Sequence, residues 1–154
     1  MGERALVCAA LARGSSTLTN ASFSEDSLLL VEALRVAGIS VEVDPGERMF
    51  RVEGGGGPPS VSEGSFFLGN AGTSLRFLTG LLASGRGRYR IDGNERMRER
   101  PIADLASGLE QLGCEVTWEG KEGCPPFTLV SSGRFGGSVQ VSGTTSSQYL
   151  SSLL

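Results

Sequence analysis

The chain has 154 residues, 39% of them hydrophobic, and its 14 Lys and Arg against 17 Asp and Glu give a formal net charge of −3 at pH 7. This length suits one globular domain or a piece of a larger one, and the absence of a basic excess gives no support to nonspecific nucleic-acid binding. The chain has no His and no Cys-x-x-Cys pair, so a Cys/His zinc site and a nucleophile paired with His are excluded.

Apolar residues at helical or alternating spacing predict six elements in the first half of the chain. In chain order they are a helix at 5–12, an extended segment at Ser16–Leu18, a helix at Leu28–Ala37, and strands at Ile39–Val43, Met49–Glu53 and Ser65–Leu68. The second helix has Ser24-Glu25-Asp26 as a candidate N-terminal cap and Gly38 as its C-terminal glycine. Gly54–Pro59 is predicted to be a turn, because no helix could cross it.

The same spacing predicts a second series of elements after Gly69. In chain order they are a helix with Leu75, Leu78 and Leu82 on one face, a strand at Arg88–Ile91, a helix that begins at Pro101, strands at Cys114–Trp118, Phe127–Ser131 and Ser138–Val141, and a helix at Thr145–Leu154. The order helix, strand, strand occurs twice, and Gly38 and Gly113 end the two helices 75 residues apart. One interpretation is an internal repeat, and the other is a chance likeness between two α/β segments.

Arginines lie near the beginnings of three predicted helices. In a chain without His, the groups available for binding or catalysis are arginines, carboxylates, hydroxyls and backbone amides. A cation is mildly unfavourable at a helix N-terminus. An anion bound between a guanidinium group and the free amides would make this arrangement favourable, so phosphate or carboxylate is the expected ligand. The arginines are Arg4, Arg76, and the group Arg96, Arg98 and Arg100 before Pro101.

Each stretch also has an explanation without a ligand. The arginines of 96–100 alternate with glutamates and could form surface ion pairs. Asn70–Thr73 could be an ordinary strand-to-helix turn, and residues 144–148 could be a helix cap followed by polar surface. Three such stretches in one chain favour a ligand with several anionic groups.

Three motifs resemble those of the 5-enolpyruvylshikimate-3-phosphate synthase family. They are Leu68–Arg76 (LGNAGTSLR), Gly93–Ile102 (GNERMRERPI) and Ser142–Leu150 (SGTTSSQYL). The resemblance covers the larger part of the family's N-terminal domain and none of its C-terminal domain. It implies an α/β fold, an inverted α/β barrel-like domain of repeated helix–sheet units with the third unit truncated, and makes residues 1–154 a partial N-terminal domain.

The resemblance also implies an activity, the transfer of the enolpyruvyl group of phosphoenolpyruvate to the 5-hydroxyl of shikimate 3-phosphate with release of phosphate. Both substrates are small anions, which agrees with the arginine-rich stretches. We expect no metal, no cofactor and no nucleic-acid partner, and a monomer when the protein is full length. The apolar runs are too short to span a bilayer and the N-terminus has no secretory signal pattern, so the expected location is the cytoplasm.

By family correspondence, shikimate 3-phosphate would be bound by Arg4, Ser146, Ser147 and Gln148, with the two serine hydroxyls donating to its phosphate. The family has Gly-Ser-Lys-Ser shortly before the arginine matched by Arg4, whereas this chain begins Met1–Glu3. The family's proton-transferring Asp and Glu lie in its C-terminal domain, so the resemblance implies no catalytic residue within this chain. We therefore expect no turnover from the chain alone.

Phosphoenolpyruvate would be bound by four residues, Asn70, Gly72, Arg100 and Gln148, the last of which would touch both substrates. Arg100 would bind the phosphate of phosphoenolpyruvate. At Gly72 the absence of a side chain would let the ligand lie close to the backbone. Arg76 would shape the loop.

Two other functions remain open. The UDP-N-acetylglucosamine enolpyruvyl transferase family carries a cysteine a few residues before its Arg-Pro, whereas Asp92–Glu99 contains none, and the Ser-Ser-Gln segment fits the shikimate family better. A different class of protein, a non-catalytic anion-binding domain or an incompletely folded fragment, is the second alternative.

Overall fold

The computed structural model describes residues 2–134, 137–140 and 147–153, and in these ranges it has five α-helices and seven strands. In chain order the elements are α1 (Gly2–Leu11), β1 (Arg13–Leu18), α2 (Glu25–Val36), β2 (Ser40–Asp44), β3 (Met49–Gly55), β4 (Glu63–Phe67), α3 (Gly72–Ser84), β5 (Arg86–Asp92), α4 (Ala103–Gln111), β6 (Glu115–Trp118), β7 (Phe127–Ser132) and α5 (Ser147–Leu153), with a 3-10 turn at Met97–Glu99. The α/β class predicted from the sequence is confirmed.

Two consecutive units build two sheets in the same strand order. The first unit, α1 to β3, forms a sheet of order β1-β3-β2 in which both pairs are antiparallel. The second unit, α3 and then β5 to β7, forms β5-β7-β6, again with antiparallel pairs, and β4 adds to β5 as a parallel edge strand. The predicted internal repeat is confirmed, and it includes the helix and the strand that precede the predicted unit.

The predicted ends of two helices are confirmed. The Ser24 side chain accepts a hydrogen bond from the Ser27 N–H at 3.3 Å and caps α2. Gly38 and Gly113 follow α2 and α4 with φ angles of 86° and 92°. These angles lie in the left-handed region that glycine adopts without steric cost, which explains why both helices end at a glycine.

The predicted turn at Gly54–Pro59 is wrong at its beginning, because β3 continues to Gly55 and pairs there with β1. Helix α1 ends directly beside this part of the strand. A Cβ atom on Gly54 would overlap the carbonyl oxygens of Ala9 and Ala12. The glycine therefore permits a close approach between a helix and a strand, a role that the sequence alone does not distinguish from a turn.

Helix α4 begins at Ala103 and not at Pro101 as predicted. Pro101 and Ile102 are instead bonded to other segments of the chain. The Ile102 N–H donates to the Gly123 carbonyl at 2.8 Å, and the Pro101 carbonyl accepts from the Tyr149 hydroxyl at 2.9 Å. These tertiary contacts hold the connection before the helix in an irregular conformation.

The last two predicted elements are described only in part. No strand forms at 138–140, where the Gln140 N–H and carbonyl bond to the Gln111 side chain at 3.0 and 3.1 Å, and residue 141 lies outside the described residues. The side-chain pairing takes the place of a strand ladder, so the predicted strand is wrong over 138–140. The predicted final helix is confirmed over Ser147–Leu153, and its other residues also lie outside the described ranges.

Helix α3 packs against α1, α2, α5 and the strands of the second sheet, so it is buried on nearly all sides. The predicted apolar face of Leu75, Leu78 and Leu82 is at most 2% exposed. Gly80 lets α5 lie directly on α3, because a Cβ atom there would overlap the Ser152 carbonyl. Within the described ranges, no helix is both long and apolar enough to cross a membrane.

Candidate functional site

A polar cavity of about 530 Å³ opens where four segments of the chain meet. These segments are the first turn of α2, the beginning of α3 with the turn before it, the connection before α4, and the first turn of α5. They are distant in sequence and belong to different units of the fold. The lining residues are Asp26, Asn70, Gly72, Thr73, Arg76, Arg100, Pro101 and Gln148.

The beginning of α3 has no side-chain cap. Ala71 occupies the cap position and has no side-chain acceptor, and the first turn contains no acidic residue. The first N–H groups of a helix have no partners within the helix, and they give its N-terminus a partial positive charge. This uncapped beginning lines the cavity through Gly72 and Thr73, so the cavity favours a negatively charged guest.

Arg76 lies across the cavity and is held by neutral groups. Its Nη1 donates to the Gly72 carbonyl at 3.2 Å and to Gln148 Oε1 at 3.0 Å, and its Nη2 approaches the Pro101 carbonyl at 3.5 Å. The guanidinium carbon lies 5.2 Å from the centre of the Tyr149 ring. The positive charge of Arg76 is thus oriented but not neutralised by these partners.

Arg100 also lines the cavity, from the connection before α4. Its Nη1 donates to the Asn70 carbonyl at 3.2 Å. A Cβ atom on Gly72 would lie 2.6 Å from Arg100 Nη1 and 3.2 Å from Arg76 Nη1, so the two guanidinium groups converge over this glycine. Neither arginine forms an ion pair within residues 2–134, 137–140 and 147–153.

Two of the residues that line the cavity each have a buried polar atom with no hydrogen-bond partner among the described residues, the Asn70 Oδ1 acceptor and the Arg76 Nε donor. A buried polar atom left without a partner costs about 1–3 kcal/mol. A ligand that carries both an acceptor and a hydroxyl donor would satisfy the two atoms together.

Gln148 joins α5 to the beginning of α3. Its Nε2 donates to Thr73 Oγ1 at 3.0 Å, while its Oε1 accepts from Arg76. Ser147, the first residue of α5, is exposed and does not line the cavity. Ser146, the other serine predicted to bind phosphate, lies outside the described residues.

Arg4 is not brought to this cavity. It lines a neighbouring, mostly apolar cavity of about 350 Å³ between α1, α3 and α5. Its guanidinium carbon lies 5.4 Å from the centre of the Phe77 ring. Of the predicted binding residues, the structure therefore assembles Asn70, Gly72, Arg100 and Gln148 and leaves Arg4 apart.

Arg98 differs from Arg100 although only one residue separates them. Arg98 Nε and Nη2 donate to Asp92 Oδ1 and Oδ2 at 3.0 and 2.8 Å, and Arg90 approaches the same carboxylate at 3.3 Å. Burial alone would raise the pKa of Asp92, but hydrogen bonds from Arg98 and the Gly93 N–H and the charges of both arginines outweigh it and lower the pKa. Arg98 does form an ion pair, but its partner is the buried Asp92 and not one of the alternating glutamates, so the interpretation of this stretch as surface ion pairs is wrong for Arg98.

Sequence reasoning missed Asp26 as a lining residue and treated it only as part of the region that caps α2. The Asp26 carbonyl accepts a hydrogen bond from Ser74 Oγ at 3.0 Å, which ties the first turn of α2 to that of α3. No motif in the sequence connects these two turns, so only tertiary structure could reveal the contact. Among the described residues, no group of three or more His, Cys, Asp or Glu side chains is arranged to hold a metal ion.

Comparison with known proteins gives consistent matches along the whole chain. The family model described as EPSP synthase (3-phosphoshikimate 1-carboxyvinyltransferase) matches residues 1–154. Proteins named 3-phosphoshikimate 1-carboxyvinyltransferase are 42% identical in Trichormus variabilis, over 99% of this chain and 36% of that protein, and 39% identical in a Marinomonas species, over 100% and 36%. The chloroplastic protein of that name from Petunia hybrida is 44% identical, over 100% of this chain and 31% of its own length.

A solved structure shares the fold. The EPSP synthase of Acinetobacter baumannii superposes with a TM-score of 0.79 at 25% identity, covering 99% of this chain and 34% of that one. The chain therefore spans about a third of the length of the relatives that it matches. On the sequence match over all its residues, the chain belongs to the EPSP synthase family.

Proposed function

We propose that the chain forms part of the N-terminal domain of an enzyme that transfers the enolpyruvyl group of phosphoenolpyruvate to the 5-hydroxyl of shikimate 3-phosphate and releases phosphate. In this proposal the polar cavity binds phosphoenolpyruvate and one edge of shikimate 3-phosphate. The names of the relatives support the reaction, and the charge of the cavity supports the class of substrate.

The observation that carries the proposal is the meeting of two guanidinium groups over Gly72, at a helix beginning without a cap. Two like charges at the positive end of a helix repel each other and the helix dipole unless an anion lies between them. Asp26 also lines the cavity but forms no ion pair with either arginine in the described part of the chain. A phosphate group would accept from both guanidinium groups and from the helix amides at once.

The proposed roles follow from the donor or acceptor character of each group. Arg100 would bind the phosphate of phosphoenolpyruvate and stabilise the charge that grows on it as it leaves. Arg76 Nε would donate to an acidic oxygen of the substrate, since it is a buried donor without a partner. Asn70 is expected to bind phosphoenolpyruvate by family correspondence, but its buried Oδ1 only accepts hydrogen bonds. The partner of this atom would therefore be a hydroxyl of shikimate 3-phosphate, which the reaction brings beside phosphoenolpyruvate.

The remaining contacts of shikimate 3-phosphate are proposed on family correspondence. Gln148 already lies in the cavity and would touch both substrates. Ser147, at the beginning of α5, and Ser146, which precedes it in the sequence, would donate to the 3-phosphate. Arg4 would complete that site from α1, which requires its guanidinium group to leave the Phe77 ring.

Calorimetric titration of the 154-residue chain tests the substrate class. We expect heat of binding with phosphoenolpyruvate and with shikimate 3-phosphate, and none with UDP-N-acetylglucosamine. Arg96→Ala is the matched control for Arg100→Ala, because Arg96 is exposed and forms no hydrogen bond with a described residue. Tighter binding of the nucleotide sugar, or equal binding by the two variants, would contradict the proposal.

A second experiment tests the reaction itself. The chain would be mixed with a polypeptide that comprises the rest of the Trichormus variabilis relative, and release of inorganic phosphate from phosphoenolpyruvate would be measured with shikimate 3-phosphate present. We expect phosphate release from the mixture and none from either part alone. A folded mixture that binds both substrates and releases no phosphate would contradict the proposed activity while leaving the binding site in place.

A further inference from the structure

Arg100 stands at the end of a connection that has little regular structure. Between β5 and α4 the chain forms only the 3-10 turn at Met97–Glu99. The Arg100 side chain is exposed, and within the described ranges it makes one hydrogen bond, to the Asn70 carbonyl. Such a long, flexible side chain needs a fixed backbone if its guanidinium group is to stay beside Gly72.

The Asp92 carboxylate fixes the near end of this connection. Asp92 ends β5, and its side chain is 7% exposed. It accepts two parallel hydrogen bonds from Arg98, at 3.0 and 2.8 Å, and one from the Gly93 N–H at 2.7 Å. A bidentate pair between a guanidinium group and a carboxylate defines direction as well as distance, so it fixes the orientation of the turn at Arg98.

The carboxylate is itself anchored to the sheet. Arg90, on β5, approaches Asp92 at 3.3 Å and donates to Glu119 at 2.8 Å. Glu119 also accepts from Thr128 Oγ1, on β7, at 2.8 Å. The ion pair thus connects the turn to two central strands of the second sheet.

The turn is also tied to the loop that forms the other wall of the cavity. The Asn94 N–H donates to the Gly69 carbonyl at 2.9 Å, and the Met97 side chain is buried. The Arg100 N–H then bonds to the Met97 carbonyl at 3.0 Å and closes the 3-10 turn. The backbone of Arg100 is consequently set by the turn that Arg98 orients.

We propose that Asp92 and Arg98 are positioning residues, whose ion pair holds the 3-10 turn so that the Arg100 guanidinium group lies beside Asn70 and Gly72. The positioning itself concerns the chain alone, whereas its effect on phosphoenolpyruvate rests on the function proposed above. Neither residue lines the polar cavity, so both act through Arg100. In metal sites, loss of an outer group that orients a ligating side chain weakens binding by about 10–100-fold, and we expect an effect at the lower end of that range here.

The test compares two substitutions that remove the same charge from the same connection. Arg98→Gln removes the bidentate pair, and Arg96→Gln removes a positive charge that is exposed and has no hydrogen-bond partner among the described residues. We expect Arg98→Gln to raise the dissociation constant for phosphoenolpyruvate about 10-fold and Arg96→Gln to leave it nearly unchanged. Arg98→Lys, which keeps the charge and one hydrogen bond, should give an intermediate value.

A second readout does not depend on any ligand. In the free protein, the nitrogen-15 resonance of Arg100 Nε reports whether the side chain is held in one orientation, and circular dichroism shows that each variant is folded. We expect the Arg100 resonance to move to the position of a freely rotating arginine in Arg98→Gln and to stay in place in Arg96→Gln.

The two readouts separate this inference from the proposed function. An unmoved Arg100 resonance in folded Arg98→Gln, or equal affinity losses in Arg98→Gln and Arg96→Gln, would overturn the inference. If the unaltered chain fails to bind phosphoenolpyruvate while the resonance responds to Arg98→Gln as expected, the proposed function fails and the positioning role stands.

Discussion

Helices α2 and α3 begin side by side, but only α2 has a side-chain cap at its N-terminus. At α2 the Ser24 side chain caps the Ser27 N–H, and Glu25 and Asp26 stand in the first turn. At α3 the cap position is an alanine, the first turn has no acid, and two arginines converge on it. The beginning of α2 is capped by its own side chains, whereas that of α3 has no side-chain cap and binds an anion in the function proposed above.

The difference separates positions that serve stability from positions that serve binding. A side-chain cap such as that of α2 contributes about 1 kcal/mol to the stability of a protein. The beginning of α3 forgoes this contribution and adds two positive charges where they are unfavourable. We therefore expect substitutions at α2 to change the free energy of unfolding and substitutions at α3 to change affinity.

Arg100→Ala should give the largest effect, about a 100-fold loss of affinity for phosphoenolpyruvate, because it removes a charge-assisted bond in the cavity. Calorimetry with phosphoenolpyruvate and with shikimate 3-phosphate would measure it, with Arg96→Ala as the control. The affinity for shikimate 3-phosphate should fall much less. Equal losses for the two substrates would break the assignment of Arg100 to phosphoenolpyruvate.

Gly72→Ala should weaken phosphoenolpyruvate about 10-fold, because the new Cβ would stand 2.6 Å from Arg100 Nη1 and displace that guanidinium group. The displaced atom ends a flexible side chain and alanine favours helices over glycine, so stability should be unchanged or up to about 1 kcal/mol higher. Calorimetry and urea unfolding would measure the two effects. Gly57→Ala, at a glycine with open space around its Cβ position, should leave affinity unchanged, and an equal loss there would contradict the steric explanation.

Ser24→Ala should lower the free energy of unfolding by about 1 kcal/mol and leave phosphoenolpyruvate affinity unchanged, since its side chain caps α2 and does not line the cavity. Ser22→Ala is the matched control, because Ser22 is exposed and its side chain has no hydrogen-bond partner in the described part of the chain. Urea denaturation at pH 7 would compare the two. A loss of phosphoenolpyruvate affinity in Ser24→Ala would contradict the assignment of the α2 N-terminus to stability and of the α3 N-terminus to binding.

Acid should produce the smallest effect, through the Asp92 carboxylate that holds Arg98 in the connection beside the beginning of α3. The pKa of Asp92 is lower in the folded protein than in the unfolded one, so its stabilising contribution is present above the unfolded pKa of about 3.9 and is lost as the pH falls through the folded pKa. Arg98 is half exposed, and solvent weakens the pair. Urea unfolding of the unaltered chain and of Asp92→Asn should therefore differ at pH 7, and the difference should begin to shrink below about pH 4; a constant difference would contradict the assignment.

The sequence predicts much of the fold because the signals are local. Gly38 and Gly113 mark helix ends through backbone conformations that favour glycine, and Ser24 marks a beginning through its acceptor oxygen. Gly54 shows where local reasoning fails, because its role depends on a helix that passes beside it in space.

The candidate site likewise contains some residues that the sequence predicts and others that it does not. Asn70, Gly72 and Arg100 follow from two short motifs that the fold brings together. The sequence does not predict that Arg98, and not Arg100, forms an ion pair among the described residues, since both arginines alternate with glutamates. Only the buried position of Asp92 decides which arginine is neutralised. Asp26 enters the cavity through packing of α2 on α3, a contact between distant segments that no local pattern records.

The close approach of α5 to α3 at Gly80 makes the geometry of the candidate site depend on a residue outside it. Any larger residue there would push α5 outward and carry Gln148 away from Thr73 and Arg76, although Gly80 lies two turns along α3 from Gly72. A mutational scan scored by ligand capture would rank this glycine with the residues that touch the ligand. Such a scan would then identify the residues that hold the site in place as well as those that contact the ligand.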